Sequence, residues 1–118
     1  MQIMKAICYH NPRCGKSRLT LQLLQDHGID VEVIENLKTP PTAEVLDKLL
    51  LMLDMQPLEL MRKNEAPYKD LNLAHSELDR HALIKIMIDH PILIERPIVV
   101  VGDKAAIGRP PETVLTLL

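Results

Sequence analysis

The chain has 118 residues, 47% hydrophobic and 25% charged, which fits one globular domain and excludes a disordered tail or a collagenous repeat. Fourteen Lys and Arg against sixteen Asp and Glu leave a net charge of −2, which argues against a nucleic-acid coat. Tyr9 and Tyr68 are the whole aromatic content, so a base-stacking platform is excluded as well and no nucleic-acid partner is expected.

The short apolar stretch Ile3–Tyr9, followed at once by Asn11 and Pro12, predicts a strand ending in a turn. Gly15–His27 carries Leu19, Leu23 and Leu24 on helical spacing, with Gly28 as the stop. Val31–Ile34 alternates with Glu32 and Glu35 as a second strand. Strand, helix and strand in about 30 residues predict a βαβ unit with parallel strands and a right-handed crossover.

Helices follow. Pro40, Pro41 and Thr42 before Glu44 form a helix start, continued by Val45, Leu46, Leu49, Leu50 and Leu53. Pro57–Met61 reads as a shorter helical turn. Ser76, three residues before Asp79, resembles a capping box ahead of the apolar stripe Leu83, Ile84, Met87 and Ile88, which Pro91 closes. After Arg96 and Pro97, the β-branched run Ile98–Val101 suits a central strand. Gly102 and Asp103 turn the chain into Lys104–Ile107 as an antiparallel hairpin, and Pro110, Pro111 and Glu112 open a last helix through Leu117. The expected fold is α/β and thioredoxin-like: a mixed four-stranded sheet built as βαβ, a helical insertion at about 42–90, then ββα, all in a single domain over residues 1–118.

The two cysteines, Cys8 and Cys14, are too few for a disulfide framework or a four-ligand zinc site. Met1–Cys8 is too short and mixed for a signal-peptide core, and the longest apolar run, Leu49–Leu53, falls far below the ~20 residues that span a bilayer. The expectation is a soluble, cytoplasmic protein with no membrane partner, whose thiols stay reduced.

The sharpest signal is the segment Tyr9-His10-Asn11-Pro12-Arg13-Cys14-Gly15-Lys16-Ser17-Arg18. It sets Cys14 between a strand and a helix, where unpaired N–H groups and the positive end of the helix dipole favour a thiolate. Arg13, Lys16 and Arg18 add cations, and no acid stands between residues 9 and 18. The thiolate is the nucleophile, so Cys14 is the candidate catalytic residue, while Cys8 inside the strand reads as an apolar filler.

Three other motifs fail. A phosphate-binding loop ending at Gly15-Lys16-Ser17 needs glycine where His10 stands. A C-x-x-C pair needs a thiol at Ser17, so redox chemistry in this loop uses one thiol. In the phosphatase C-x5-R loop, arginine would come later than Arg18. His10 stands close enough in sequence to tune Cys14, or else simply satisfies a strand end. His27, His75, His81 and His90 have no metal-ligand spacing and read as surface or capping residues.

Taken together, Tyr9–Arg18, Leu37–Thr42 (LKTPPT), Met61–Tyr68 (MRKNEAPY), His90–Val100 (HPILIERPIVV) and Arg109-Pro110 resemble the glutaredoxin-coupled arsenate reductases of the thioredoxin superfamily. The segments run in order and span nearly the whole chain. The resemblance implies reduction of arsenate through a cysteine–arsenic intermediate, with glutathione as co-substrate, glutaredoxin as partner and no bound cofactor or metal. It makes Cys14 the nucleophile, His10 and Ser17 helpers that lower the thiol pKa, and Arg62, Arg96 and Arg109 the oxyanion-binding residues. It also implies a cis-proline at Pro97, placing Arg96 beside the cysteine loop. Guanidinium forks suit a tetrahedral oxyanion, whose oxygens they bind in bidentate fashion. Two other readings share the fold: a glutathione-dependent monothiol oxidoreductase acting on another substrate, and an Spx-type regulator that docks on RNA polymerase. Ser17 weighs against the regulator, whose C-x-x-C switch it removes.

Overall fold

The structure, a computed structural model, describes residues 4–118; Ile3, the expected start of the first strand, lies outside them. Two compact units are distinguished, one formed by residues up to Thr39 together with Arg96–Leu118, the other by Pro40–Glu95.

The first unit holds a four-stranded sheet. Strand β1 (Lys5–His10) leads into helix α1 (Gly15–Asp26) and strand β2 (Asp30–Glu35), and the hairpin β3 (Ile98–Val101) and β4 (Lys104–Ile107) completes the order β2-β1-β3-β4. β1 pairs parallel with β2, Cys8 opposite Val33, and antiparallel with β3, Cys8 opposite Val99. The parallel pair, its crossover helix and the antiparallel hairpin make the thioredoxin-like sheet that the sequence implies. Gly102 turns the hairpin at φ +62°, in the left-handed region that glycine enters without a Cβ clash. Pro111–Leu117 is helical but wound as a 3₁₀ helix. One side of the sheet is covered by a core of Ala6, Cys8, Leu24, Val99 and Val114, so α1 and the terminal 3₁₀ helix close over β1 and β3. The β-branched run of β3 is therefore central, and its Ile98 and Val99 are fully buried.

Helix α1 departs from the expected apolar face. Ser17, Thr20 and Leu24 are its buried residues, and Leu19 is 62% exposed. Positions 17, 20 and 24 share one helical face with two polar residues on it, so an apolar pattern alone picks the wrong stripe.

The second unit is helical: α2 (Ala43–Leu53), α3 (Pro57–Leu60), α4 (Ala66–Asp70) and α5 (Arg80–Asp89), with 3₁₀ turns at Leu73–His75 and Pro91–Leu93. Thr42 caps α2 by accepting the Val45 N–H at 3.2 Å. The α2 residues Leu46, Leu49 and Leu50 and the α5 residues Leu83, Ile84 and Met87 form its buried faces, and Asp47 on α2 pairs with Arg80 on α5 at 2.8 Å. The start of α5 corrects the capping box expected at Ser76. Ser76 follows a 3₁₀ turn, and its Oγ accepts the Leu78 N–H at 3.1 Å, whereas the Asp79 carboxylate accepts the Ala82 N–H at 2.9 Å and is the true N-cap. A short antiparallel bridge joins Met61 to Ile94, reinforced by Arg62 N–H to the Leu93 carbonyl at 2.7 Å.

Candidate active site

The end of β1 and the start of α1 build the centre of the site. His10, Asn11 and Ser17 are buried there. The Asn11 N–H donates to Ser17 Oγ at 3.1 Å, and Ser17 Oγ lies 2.6 Å from His10 Nδ1. The hydroxyl thus bridges the Asn11 backbone N–H and the His10 ring. Burial lowers the His10 pKa and outweighs Glu35, which raises it, while the Arg18 charge lowers it further. Asn11 closes the loop: its side-chain Oδ1 accepts the Arg13 N–H at 2.9 Å, and its backbone carbonyl accepts the Cys14 N–H at 3.0 Å.

Cys14 is the N-cap residue of α1 and is half-buried. Its sulfur stands where the helix presents unpaired N–H groups. Burial pushes the thiol up, but the Ser17 backbone amide, a hydrogen bond from Arg96, and the charges of Arg109 and Arg96 together bring the pKa below the ordinary cysteine value. The sulfur forms no regular capping hydrogen bond to the helix, so the guanidinium groups are its defined side-chain partners. Cys8 is the opposite case: fully buried in the core, its thiol is pushed up to about 12 by desolvation.

Two arginines come from the far end of the first unit. Arg96 immediately precedes β3 and Arg109 follows β4, and the peptide bonds Arg96–Pro97 and Arg109–Pro110 are both cis. Arg109 Nη2 donates to the Cys14 sulfur at 3.2 Å, and its Nε donates to the Arg96 carbonyl oxygen at 2.7 Å. One planar fork thus ties the Arg96 backbone to the thiolate. Arg13, Lys16 and Arg18 are exposed, and Arg18 Nη1 donates to the Pro12 carbonyl at 2.9 Å.

Arg62 belongs to the second unit. There its Nη1 lies 2.7 Å from Glu95 Oε1 and its Nε 3.3 Å from Glu65 Oε1, with the side chain 22% exposed. Burial favours the neutral form of Arg62, and the two carboxylates more than reverse that. His27, His75, His81 and His90 are all exposed, and His27 Nδ1 lies 2.9 Å from the Leu23 carbonyl at the end of α1. Among the described residues, no group of three or more His, Cys, Asp or Glu is placed to hold a metal, and no helix is long and apolar enough to cross a membrane. Gly108, buried against Thr20, is a site feature that sequence reading passes over, because a lone glycine before an arginine carries no local signal.

The site is thus a thioredoxin-like sheet carrying one acidified cysteine at a helix start, with two guanidinium groups on its sulfur and serine rather than a second thiol at position 17. The family model of the ArsC family matches residues 9–117, and the chain belongs to that family. It is 55% identical over 111 residues to the uncharacterized protein YfgD of Escherichia coli K12, covering 93% of both chains. It is 43% identical to an arsenate reductase of Neisseria meningitidis serogroup A, covering 93% of this chain and 95% of that one. The solved arsenate reductase from Vibrio cholerae superposes with a TM-score of 0.96 at 47% identity, over 99% of this chain and 100% of that one.

Proposed function

We propose that the protein reduces arsenate to arsenite in the cytoplasm, with glutathione and glutaredoxin as reductants and no bound cofactor. The observation that carries this reading is the Cys14 sulfur at the α1 N-cap, 3.2 Å from Arg109 Nη2 and acidified by Arg96 as well. The Cys14 thiolate attacks arsenic and forms an S–As bond as one arsenate oxygen leaves, protonated, as water. Glutathione then adds to arsenic with loss of a second oxygen as water. A glutaredoxin thiol attacks the glutathione sulfur, so the electron pair of the As–S bond stays on arsenic and As(V) becomes As(III). The two thiols end as a glutathione–glutaredoxin disulfide, and water releases arsenite and regenerates Cys14.

Arg96 and Arg109 are assigned to the arsenate oxygens, and the family resemblance adds Arg62. Arg62 already serves Glu65 and Glu95, so this role requires it to share or give up one of those partners. His10 and Ser17 hold the loop that presents Cys14, Ser17 acting also through its backbone amide.

The test is arsenate-dependent NADPH oxidation coupled through glutathione reductase and glutaredoxin. Wild-type protein should turn over, and Cys14→Ser should not, with an unchanged circular-dichroism spectrum. Turnover surviving in C14S, or absent from the wild type, would overturn the reading. In the latter case, activity on a glutathionylated disulfide would favour the monothiol oxidoreductase.

A further inference from the structure

Arg109 reaches the Cys14 sulfur from a short segment whose backbone is pressed against α1. Gly108 is buried, and its N–H donates to the Pro97 carbonyl at 2.9 Å. A Cβ built on Gly108 would fall inside contact distance of Thr20 Oγ1, at 2.9 Å from Thr20 Cγ2 and at 2.8 Å from Pro97 Cγ. Thr20 is fully buried and cannot swing into solvent, and its hydroxyl donates to the Lys16 carbonyl at 2.8 Å. Pro97 is buried and fixed by its ring and by its place immediately before β3. None of these neighbours is the loose end of a flexible side chain, so a side chain at 108 must displace the backbone on which Arg109 is carried.

From this geometry we infer that Gly108 and Thr20 form a seat that sets the position of Arg109 against the Cys14 sulfur. Both are positioning residues. Thr20 lies on α1, the helix that Cys14 caps, and Gly108 immediately precedes Arg109, so one contact holds nucleophile and guanidinium in register. The requirement at 108 is steric, for the absence of a Cβ at a close approach of backbone to helix. The groups that face Cys14 in this arrangement are the Ser17 amide from α1, Arg96 from before β3 and Arg109 from after β4. Displacing the 108–109 segment removes one of the two cations and leaves Arg96 and the Ser17 amide. The inference rests on Arg109 as the partner of the thiolate, and a thiol readout tests it whether or not arsenate is the substrate.

The experiment is iodoacetamide labelling of Cys14 against pH, read by peptide mass, on the wild type, Thr20→Ala, Gly108→Ala and the double variant. Gly108→Ala should raise the labelling midpoint by about one pH unit, a tenfold smaller thiolate fraction at any pH well below the wild-type midpoint. Adding Thr20→Ala removes both Thr20 γ atoms from the collision and should return the midpoint part of the way. A folded Gly108→Ala protein with the wild-type midpoint overturns the seat. So does a double variant displaced as far as the single one. If Gly108→Ala does not fold, the double variant decides: folded, with a midpoint above that of Thr20→Ala by less than about one pH unit because the Pro97 Cγ contact remains, supports the seat, and a failure to fold or a rise of a full unit or more refutes it.

Discussion

Replacing Arg109 by alanine removes the guanidinium whose Nη2 lies 3.2 Å from the Cys14 sulfur. At that separation a pair of unit charges is worth about 1.3 kcal/mol in water and about 5 kcal/mol at an effective dielectric of 20. Cys14 is half-buried and keeps Arg96 and the Ser17 amide, so the effect should lie nearer the lower figure. One pKa unit is about 1.4 kcal/mol, and R109A should therefore raise the Cys14 midpoint by about one to two units. The rate of iodoacetamide alkylation against pH, with Cys8 distinguished by peptide mass, measures it. Arg109→Lys should recover part of the shift, because an ammonium supplies charge without the planar fork whose Nε also holds the Arg96 carbonyl. Stability carries the same signature. A thiol more acidic in the folded than in the unfolded chain contributes fully above the unfolded pKa of about 8.5, and that contribution fades as pH falls through the folded value. R109A should flatten this rise. A folded R109A protein whose alkylation profile matches the wild type would refute the assignment of Arg109 to the thiolate.

Cys8 predicts the reverse pH dependence. Its folded thiol is pushed up to about 12 while the unfolded thiol ionises near 8.5, so stability should fall by about 1.4 kcal/mol per pH unit as pH rises from about 9 towards 12. Urea unfolding across that range, compared with Cys8→Ala, isolates this slope from the titration of Tyr9, and identical slopes in the two proteins would rule it out. Arg62→Ala separates substrate binding from thiol activation: the KM for arsenate should rise by about tenfold or more, the cost of one charge-assisted contact, with the Cys14 alkylation profile unchanged. An unchanged KM would leave Arg62 as the residue that joins Glu65 to Glu95.

Elements whose causes are local are legible in the sequence. The hairpin follows from Gly102 and Asp103, and the βαβ order from strand, helix and strand in close succession. Cys14 at the α1 start is legible too, because the turn and the helix pattern are adjacent in the chain. What depends on distant partners is not. Leu19 looks like core on helical spacing, yet α1 turns Ser17 and Thr20 inward, where Ser17 meets His10 and Thr20 meets Gly108. Ser76 and Asp79 are both good caps by type, and only the geometry of the preceding 3₁₀ turn decides for Asp79. The five-residue α4 escapes a periodicity argument because it spans little more than one turn and buries no residue. Arg96 and Arg109 meet at Cys14 across the sheet, a contact between residues 14, 96 and 109 that no local pattern contains.

In the proposed reaction the two guanidinium groups would meet two anions in succession, and acidity of the thiol would be the smaller part of their value. Lowering a thiol pKa by one unit raises the thiolate fraction at most tenfold near neutrality, but it also lowers intrinsic nucleophilicity by about threefold, leaving a net gain of about threefold. A thiolate attacking an oxyanion also meets like-charge repulsion, on the order of 1 kcal/mol per pair of charges at 4 Å in water and about four times that at an effective dielectric of 20. Arg109, held by the Arg96 carbonyl at 2.7 Å, would in the proposed step offer a fixed cation that offsets this repulsion without reorganising. The two contributions separate with pH. In R109A, raising the pH restores the thiolate but not the lost contact to the arsenate oxygens. At a pH where Cys14 is ionised in both proteins, alkylation by neutral iodoacetamide should converge, whereas kcat/KM for arsenate should stay at least tenfold below the wild type. Convergence of both would mean that Arg109 serves the thiol alone, and the oxyanion would then need other partners.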